Sequence, residues 1–352
     1  MKIAHIVGNR PQFIKVAAVS RAIKEHKSAI QEILIHTGQH YDNYMSQIFF
    51  DELQIKKPKY NLKVVSYKDG EMIGTMLIKI ELILIKEKPD YVLVYGDTNS
   101  SLAGGLAANK LNIPLAHIEA GVRSYNQNMP EEINRVILDH ISNFLFCPTY
   151  NAVINLKEEK ITSEIFRSGD VMYDSFLYYK KKINESKILS KFQIKRNSYF
   201  LATIHRQENM KHLETILKIF EELTTKKSPF IIPLHPRTNK FIDEKWMHNP
   251  VIKFFPPVGY FDMLALESNA RLILTDSGGI QREAYFIGAP CVILRKETEW
   301  PETNQNYLNS VSDIKEIVFR TIAWRKYEKI NPSLFGNGEA SNFIVNKLCK
   351  KS

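Results

Sequence analysis

The chain of 352 residues has three cysteines, Cys147, Cys291 and Cys349, and no two of them stand at a metal-ligand spacing. That scarcity argues against a disulfide-stapled scaffold and a thiolate zinc site, and it suits a reducing compartment. No apolar run approaches the roughly 18 residues needed to cross a bilayer. The N-terminal MKIAHIVGNRPQFIK has one lysine before a short apolar run broken by His5, too short for a signal-peptide core, and it reads as a first strand. A cytoplasmic protein without a membrane partner is expected. Gly-x-Gly-x-x-Gly, a Walker lysine loop, Gly-x-Ser-x-Gly and zinc spacing are all missing, so the usual carriers of dinucleotide, P-loop and hydrolase chemistry are not there. Neither a short repeat nor a low-complexity segment occurs.

Acidic charge is the scarcer sign, with 38 Asp and Glu against 48 Lys and Arg and a net charge of +10. A basic surplus raises nucleic-acid binding as a possibility. The lysines, however, are scattered over helix faces (Lys180–Lys182, Lys226, Lys227, Lys347, Lys350, Lys351) with no aromatic-interleaved stripe. A lysine-rich compositional bias accounts for the surplus, and no nucleic-acid partner is expected. A small polyanionic substrate would also benefit from it.

The chain holds 44% hydrophobic and 24% charged residues, the proportions of a soluble globular protein. Its length exceeds one ordinary core, so two domains are expected. Strand and helix patterns alternate throughout. In the first half, strands are predicted at 3–8, 32–37, 90–97, 114–119, 144–147 and 164–172, with helices between them and a looser surface stretch at 56–70. In the second half, strands fall at 199–205, 230–235, 251–255, 272–274 and 291–294, with a helix predicted over 238–246. A last helix, 339–350, follows a Pro- and Gly-bearing loop and is placed to return to the first domain. Such alternation implies parallel, doubly wound sheets. The predicted class is α/β, with two Rossmann-like domains facing across a cleft. The expected boundaries are 1–168, 169–330 and a returning helix in 331–352.

The most telling stretch is 272–302, LILTDSGGIQREAYFIGAPCVILRKETEWPE. A strand breaks into Asp276-Ser277-Gly278-Gly279 and re-enters a helix. The helix start offers unpaired N–H groups and the positive dipole end, which together suit a phosphate, although an ordinary Gly-rich turn would look the same. The other strands also end in polar residues. Arg10 and Lys15 follow the first strand, either as phosphate-binding cations beside a helix start or as exposed basic residues. His36 and His40 close the second strand, where a substrate hydrogen bond or plain turn structure is favoured over a metal. Asp97 after VLVYG is a helix cap, a catalytic carboxylate, or both. Glu119 ends its strand as a carboxylate that an enclosed site would perturb. Glu131 and Glu132 begin a helix as dipole-favouring charges, or one of them joins Glu119 and Asp97. His205, beside Arg206, is a titrating group or phosphate contact, or a structural hydrogen bonder. A diphosphate substrate with carboxylates working on its sugar fits this set.

The motifs GNRPQFIK (8–15), HTGQH (36–40), VYGDTNSSLAG (94–104), HIEAGVRS (117–124), MPEEINR (129–135), IHRQEN (204–209), TDSGGIQREA (275–284) and ETEWPE (297–302) occur in an order that resembles the non-hydrolysing UDP-N-acetylglucosamine 2-epimerases. The likeness covers essentially the whole chain. It implies a GT-B-like fold and interconversion of UDP-GlcNAc and UDP-ManNAc-type sugars by loss and re-addition of UDP, for surface polysaccharide synthesis. It further implies a homodimer, and no metal or other cofactor. Carried over by motif, Asp97, Glu119 and Glu131 match the catalytic acids and His205 the motif histidine. Arg10, Lys15, Arg135, Ser277, Gly278, Gly279 and Glu283 match UDP contacts, with Glu283 at the ribose. Tyr260 lies in 257–263, the match to the uracil pocket. His40 and Glu299 are further candidates for the UDP-sugar. Three departures stand out: Gln12 for Glu, Gln281-Arg282-Glu283 for Gln-Glu-Glu, and Glu299-Trp300-Pro301-Glu302 for Glu-Arg-Pro-Glu. They resemble the branch acting on modified sugars such as UDP-2,3-diacetamido-2,3-dideoxy-glucuronate or 6-deoxy UDP-hexosamines. Trp300 is expected to remove a cation near the site. A hydrolysing relative and a GT-B glycosyltransferase are the remaining alternatives.

Overall fold

The structure, a computed structural model, describes residues 1–38, 43–66, 68–224, 227–234, 236–303, 306–307, 310–324, 331 and 333–350. Residues 1–178 with 332–352 make one compact unit, and 179–331 make the other. The crossing out of the first unit thus lies within the helix Val171–Asn184, where the sequence had placed it ahead of that helix, at 168/169.

The first unit is built on seven strands: β1 (Lys2–Val7), β2 (Gln31–His36), β3 (Tyr60–Asn61), β4 (Tyr91–Tyr95), β5 (Leu115–Ile118), β6 (Phe144–Cys147) and β7 (Glu164–Arg167). They pair in parallel in the order β3-β2-β1-β4-β5-β6-β7. All five residues of β4 are buried, as expected of a strand covered by helices on both faces. Full burial of Val92, Leu93 or Val94 contributes about 1.5–3 kcal/mol each. The helix Arg10–Glu25 starts where Asn9 accepts from the Gln12 N–H at 3.4 Å and Pro11 fits the first turn. The helix Ala340–Cys349 belongs to this unit as well. Its first N–H groups, those of Ala340 and Ser341, donate to the Asp174 carboxylate at 3.2 and 2.7 Å. Burial raises that carboxyl above its ordinary range, against the opposing pull of those hydrogen bonds.

The second unit has six parallel strands: β8 (Phe200–Thr203), β9 (Phe230–Pro233), β10 (Ile252–Phe255), β11 (Leu272–Thr275), β12 (Cys291–Ile293) and β13 (Asn306–Tyr307). Their order is β10-β9-β8-β11-β12-β13. Its core gathers Phe200, Phe220, Phe230, Leu274 and Val292 between helices and sheet. The helix predicted over 238–246 is two short helices, Pro236–Asn239 and Glu244–Met247. Asp243, extended at φ −67° and ψ 147°, stands as the cap of the second piece, in keeping with the preference of Asn and Asp for caps over helix interiors. The two-residue edge strands β3 and β13 have no periodicity for the sequence to reveal.

Each sheet winds outward from a middle strand and then restarts on that strand's other side. The reversal falls between β1 and β4 in the first unit and between β8 and β11 in the second. Ligands of open α/β sheets bind beyond the carboxyl ends of the strands at such a switch point. Those ends lead into Gly8–Lys15 and Gly96-Asp97 in one unit, and into His205 and Asp276-Ser277 in the other.

Candidate functional site

At the first unit's switch point the chain leaves β4 through Gly96, whose φ of +61° is left-handed. A Cβ there would stand 2.9 Å from Lys15 Nζ and 3.3 Å from Glu119 Oε1, so glycine lets both groups close over the turn. Lys15 and Glu119 form a buried ion pair of 2.7 Å. Glu119 itself holds a φ of +74°, rare away from glycine, with its N–H donating to the Phe146 carbonyl at 3.1 Å. Strained backbone of this kind concentrates at functional positions.

Asp97 follows Gly96. The helix Asn99–Lys110 is capped by Thr98, which accepts from the Ser101 N–H at 3.1 Å, so the Asp97 carboxylate does not serve as the cap. It accepts from Arg135 Nε at 3.1 Å and from a second nitrogen of the same guanidinium, whose third reaches Glu132. Burial alone would raise the Asp97 carboxyl. Contact with Arg135 outweighs that and the repulsion of Glu119, Lys15 adds to it, and Asp97 stays below its ordinary range. Glu132 also accepts from the N–H groups of Ser124 and Tyr125 at 2.9 Å each, which makes it the anchor of that loop. Glu131 is half-buried and has no hydrogen bond or ion pair with a described residue. Two of the three expected acids thus sit in separate ion pairs about the Gly96 turn, Asp97 with Arg135 and Glu119 with Lys15, and Glu131 is in neither. These pairs engage Lys15 and Arg135, which the resemblance assigned to UDP. Arg10 lies over the Phe49 ring at 4.9 Å. His36 is a core residue, stacked on Phe13 at 5.3 Å. His40 lies outside the described residues.

In the second unit, β8 and β11 end side by side, joined by a 2.6 Å hydrogen bond between the Thr203 and Thr275 hydroxyls. Beyond them, Asp276 is fully buried and gathers four donors. His205 Nδ1 lies 2.9 Å from its Oδ1, and the N–H groups of His205 and Arg206 donate to Oδ2 at 3.0 Å each. Asn209 Nδ2 donates to the same oxygen at 2.9 Å. Burial would raise this carboxyl, but the His205 ring and the converging hydrogen bonds hold it far below its usual range. Asp276 thereby orients His205, whose side chain is 33% exposed. Sequence alone assigns Asp276 no separate role. An aspartate ending a buried strand one residue before the Ser-Gly-Gly turn was the available signal.

Ser277 caps the helix Gly278–Ile287, accepting from the Ile280 N–H at 3.4 Å. A Cβ on Gly278 would come within 2.5 Å of Glu299 Oε1, and Glu299 is paired with Arg295 at 2.8 Å. Gly279 opens onto free space apart from Ser277 Oγ. Glu283, on the next turn, and Tyr260, at the start of the helix Tyr260–Asn269, are both buried. Gln281 ties this helix to the following loop, accepting from Thr298 Oγ1 at 2.6 Å and donating to Thr303 Oγ1 at 3.0 Å. Two of the departures from the family pattern meet here: the Arg282 guanidinium lies 4.2 Å over the Trp300 ring. Arg282 thus places a cation on the face of the indole that stands where the family pattern has arginine.

Three aspartates, Asp139 and Asp276 fully buried and Asp97 partly so, share one electrostatic design. Asp97, Asp139 and Asp276 are each raised by burial, and each is then brought below the ordinary range of about 3.9 by Arg135, by His117 with Arg123, and by His205 respectively. A carboxyl with a lower pKa folded than unfolded adds stability above about pH 4 that is lost as pH falls through the folded value. Urea midpoints should therefore hold steady near pH 6 and drop progressively below pH 4. A midpoint unchanged between pH 5 and pH 3 would contradict this.

Among the described residues no helix is long and apolar enough to cross a membrane, and no group of three His, Cys, Asp or Glu side chains could hold a metal ion. The sequence profile describing UDP-N-acetylglucosamine 2-epimerase matches residues 21–349. A Methanococcus maripaludis protein named UDP-N-acetylglucosamine 2-epimerase homolog is 52% identical, over 99% of both chains. The UDP-2,3-diacetamido-2,3-dideoxy-D-glucuronate 2-epimerase of Pseudomonas aeruginosa is 44% identical, over 99% of this chain and 100% of its own. Among solved structures, the Methanocaldococcus jannaschii UDP-GlcNAc 2-epimerase in complex with UDP-GlcNAc and UDP superposes with a TM-score of 0.91 at 44% identity, covering 99% of this chain and 100% of the other.

Proposed function

The chain belongs to the UDP-N-acetylglucosamine 2-epimerase family, and from that premise we propose that it is a non-hydrolysing 2-epimerase of a UDP-N-acetylhexosamine. The observation that carries the reading is the pair of carboxylates about the Gly96 turn, Asp97 and Glu119, each bound to its own cation. One carboxylate removes the C2 proton of the sugar. The C–H electron pair becomes the C1=C2 double bond of a 2-acetamidoglycal as the C1–O bond breaks and UDP leaves with its electrons. Re-addition of UDP at C1, with a proton delivered to the opposite face of C2, completes the inversion. Proton work on both faces of one carbon calls for two groups, and acids in differently charged surroundings can divide it. Glu131 is retained as the third acid by its motif alone. The Ser277-Gly278-Gly279 helix start supports the diphosphate, since N–H groups and the helix dipole favour a developing negative charge. Arg10, Glu283, Tyr260, Glu299 and His40 are proposed for the remainder of the UDP-sugar.

A second reading has a specific observation behind it: identity to the diacetamido-glucuronate epimerase of Pseudomonas equals that to the Methanocaldococcus enzyme, 44% in each case. The decisive experiment is incubation with each sugar nucleotide in D₂O, followed by proton NMR. Deuterium at C2 with UDP still attached supports epimerisation of that sugar. Free UDP with free sugar supports the hydrolysing relative, and a requirement for an acceptor supports a glycosyltransferase.

His205→Ala is expected to lower turnover by about 10²-fold or more, in the range of a general acid–base group. Asp276→Asn, which keeps an acceptor but removes the charge that orients the ring, should lower it by about tenfold through the same histidine. Turnover within twofold of wild type for His205→Ala would remove it from the reaction. A cytoplasmic homodimer serving polysaccharide synthesis is proposed from the family. The apolar stripe of Ile78, Leu82 and Ile85, exposed on the helix Asp69–Glu87, supports the dimer, and sedimentation velocity tests it.

A further inference from the structure

A group of charges unused by the chemistry lies directly behind the two acids. His117, in β5, and Asp139, on the helix Pro130–Ile141, are both fully buried, and His117 Nδ1 lies 2.7 Å from Asp139 Oδ1. The other ring nitrogen, Nε2, lies 3.0 Å from the Gly96 carbonyl oxygen. Both neighbours of the ring are acceptors, an arrangement that each ring nitrogen meets as a donor. Asp139 Oδ2 in turn accepts from the Gly121 N–H at 3.0 Å and from Arg123 at 2.6 Å. Arg123 continues to Glu159 with two hydrogen bonds of 2.6 and 2.7 Å. Arg123 and the His117 ring thus face two carboxylates, Asp139 and Glu159, in a closed group, the pairing under which buried ions are tolerated.

The placement of its outer contacts makes the group more than a core ion network. Gly96 is the left-handed residue that presents Asp97, and it is held at both ends by β5: its N–H by the Ile118 carbonyl at 2.9 Å, its carbonyl by His117. Glu119, in its own left-handed turn, lies between His117 and Gly121, and Asp139 grips both of these residues. One carboxylate thus fixes both turns from behind. We propose that His117 and Asp139 are positioning residues, an ion pair that sets Asp97 through the Gly96 carbonyl and Glu119 through the Gly121 N–H. The inference rests on the epimerase reading for its catalytic consequence and on geometry for the placement itself.

The test uses two variants of the full chain. In His117→Gln the longer amide reaches the place of Nε2 and can still donate to the Gly96 carbonyl. In His117→Asn the amide reaches only the Nδ1 level, toward Asp139. His117→Gln should keep kcat for C2 exchange within about tenfold of wild type, while His117→Asn should lose about 10²–10³-fold with KM within about threefold, at equal melting temperatures. The crystal structure of His117→Asn should show the Gly96 carbonyl turned and Asp97 displaced, with His117→Gln unmoved. Equal kcat in the two variants, losses that follow the fraction unfolded, or an unmoved Asp97 in His117→Asn would overturn the proposal. If wild type exchanges neither sugar nucleotide, the epimerase reading fails, and the two crystal structures still decide the positioning.

Discussion

Glu119→Gln and Asp97→Asn should each lower C2 proton exchange by about 10²–10⁴-fold, the span of a general acid–base group, while the dissociation constant for UDP changes by less than about threefold. Both substitutions keep size and hydrogen-bonding atoms, so the loss reports charge and proton transfer. Glu119→Gln also leaves the Lys15 ammonium facing a neutral amide across the present 2.7 Å contact. Some stability should go with it, because a buried cation without its anion is costly. Exchange by single turnover and UDP affinity by calorimetry separate the two roles. A UDP affinity that collapses along with exchange would show that these carboxylates hold the site together and do no chemistry.

Arg135→Met should have the largest effect on stability. The guanidinium is 2% exposed and contacts both Asp97 and Glu132. Methionine fills much the same space but leaves two carboxylates without their cation. Breaking a buried pair from one side costs roughly 3–5 kcal/mol, and the 26% exposure of the Asp97 side chain places this case at the lower end. For a unit of this size that is about 6–12 °C in melting temperature. With Arg135 gone, burial would act on Asp97 largely unopposed and raise its carboxyl, shifting the acid limb of the exchange profile upward. If Arg135 instead serves UDP, as its motif suggested, the variant would lose nucleotide affinity at an unchanged melting temperature.

The strand-end residues were legible in the sequence because each one breaks an apolar run at the point where a parallel strand stops. Asp97, Glu119, His205 and Ser277 could be picked out on that ground alone. Their partners could not. Arg135 and Asp97 are 38 residues apart, His205 and Asp276 are 71 apart, and no local pattern records which cation meets which anion. The same limit explains why Glu131 and Glu132 were indistinguishable. Both suit a helix start, and the roughly 100° step between consecutive helix residues decides that Glu132 anchors the loop of Ser124 while Glu131 does not. Two departures from the family pattern read as separate changes until Arg282 was found over Trp300.

Alternation of buried strands and amphipathic helices determined the parallel α/β class, since a strand covered on both faces must be apolar throughout and its crossover must be long. Motif order determined the family in the same direct way. Only the tertiary structure decided the pairings: which carboxylates meet a cation, which histidine is held by a buried carboxylate, and which turn is held from behind. Those outcomes depend on distances of about 3 Å between residues far apart in the chain, and Coulomb and hydrogen-bond energies in a buried setting change steeply over that range.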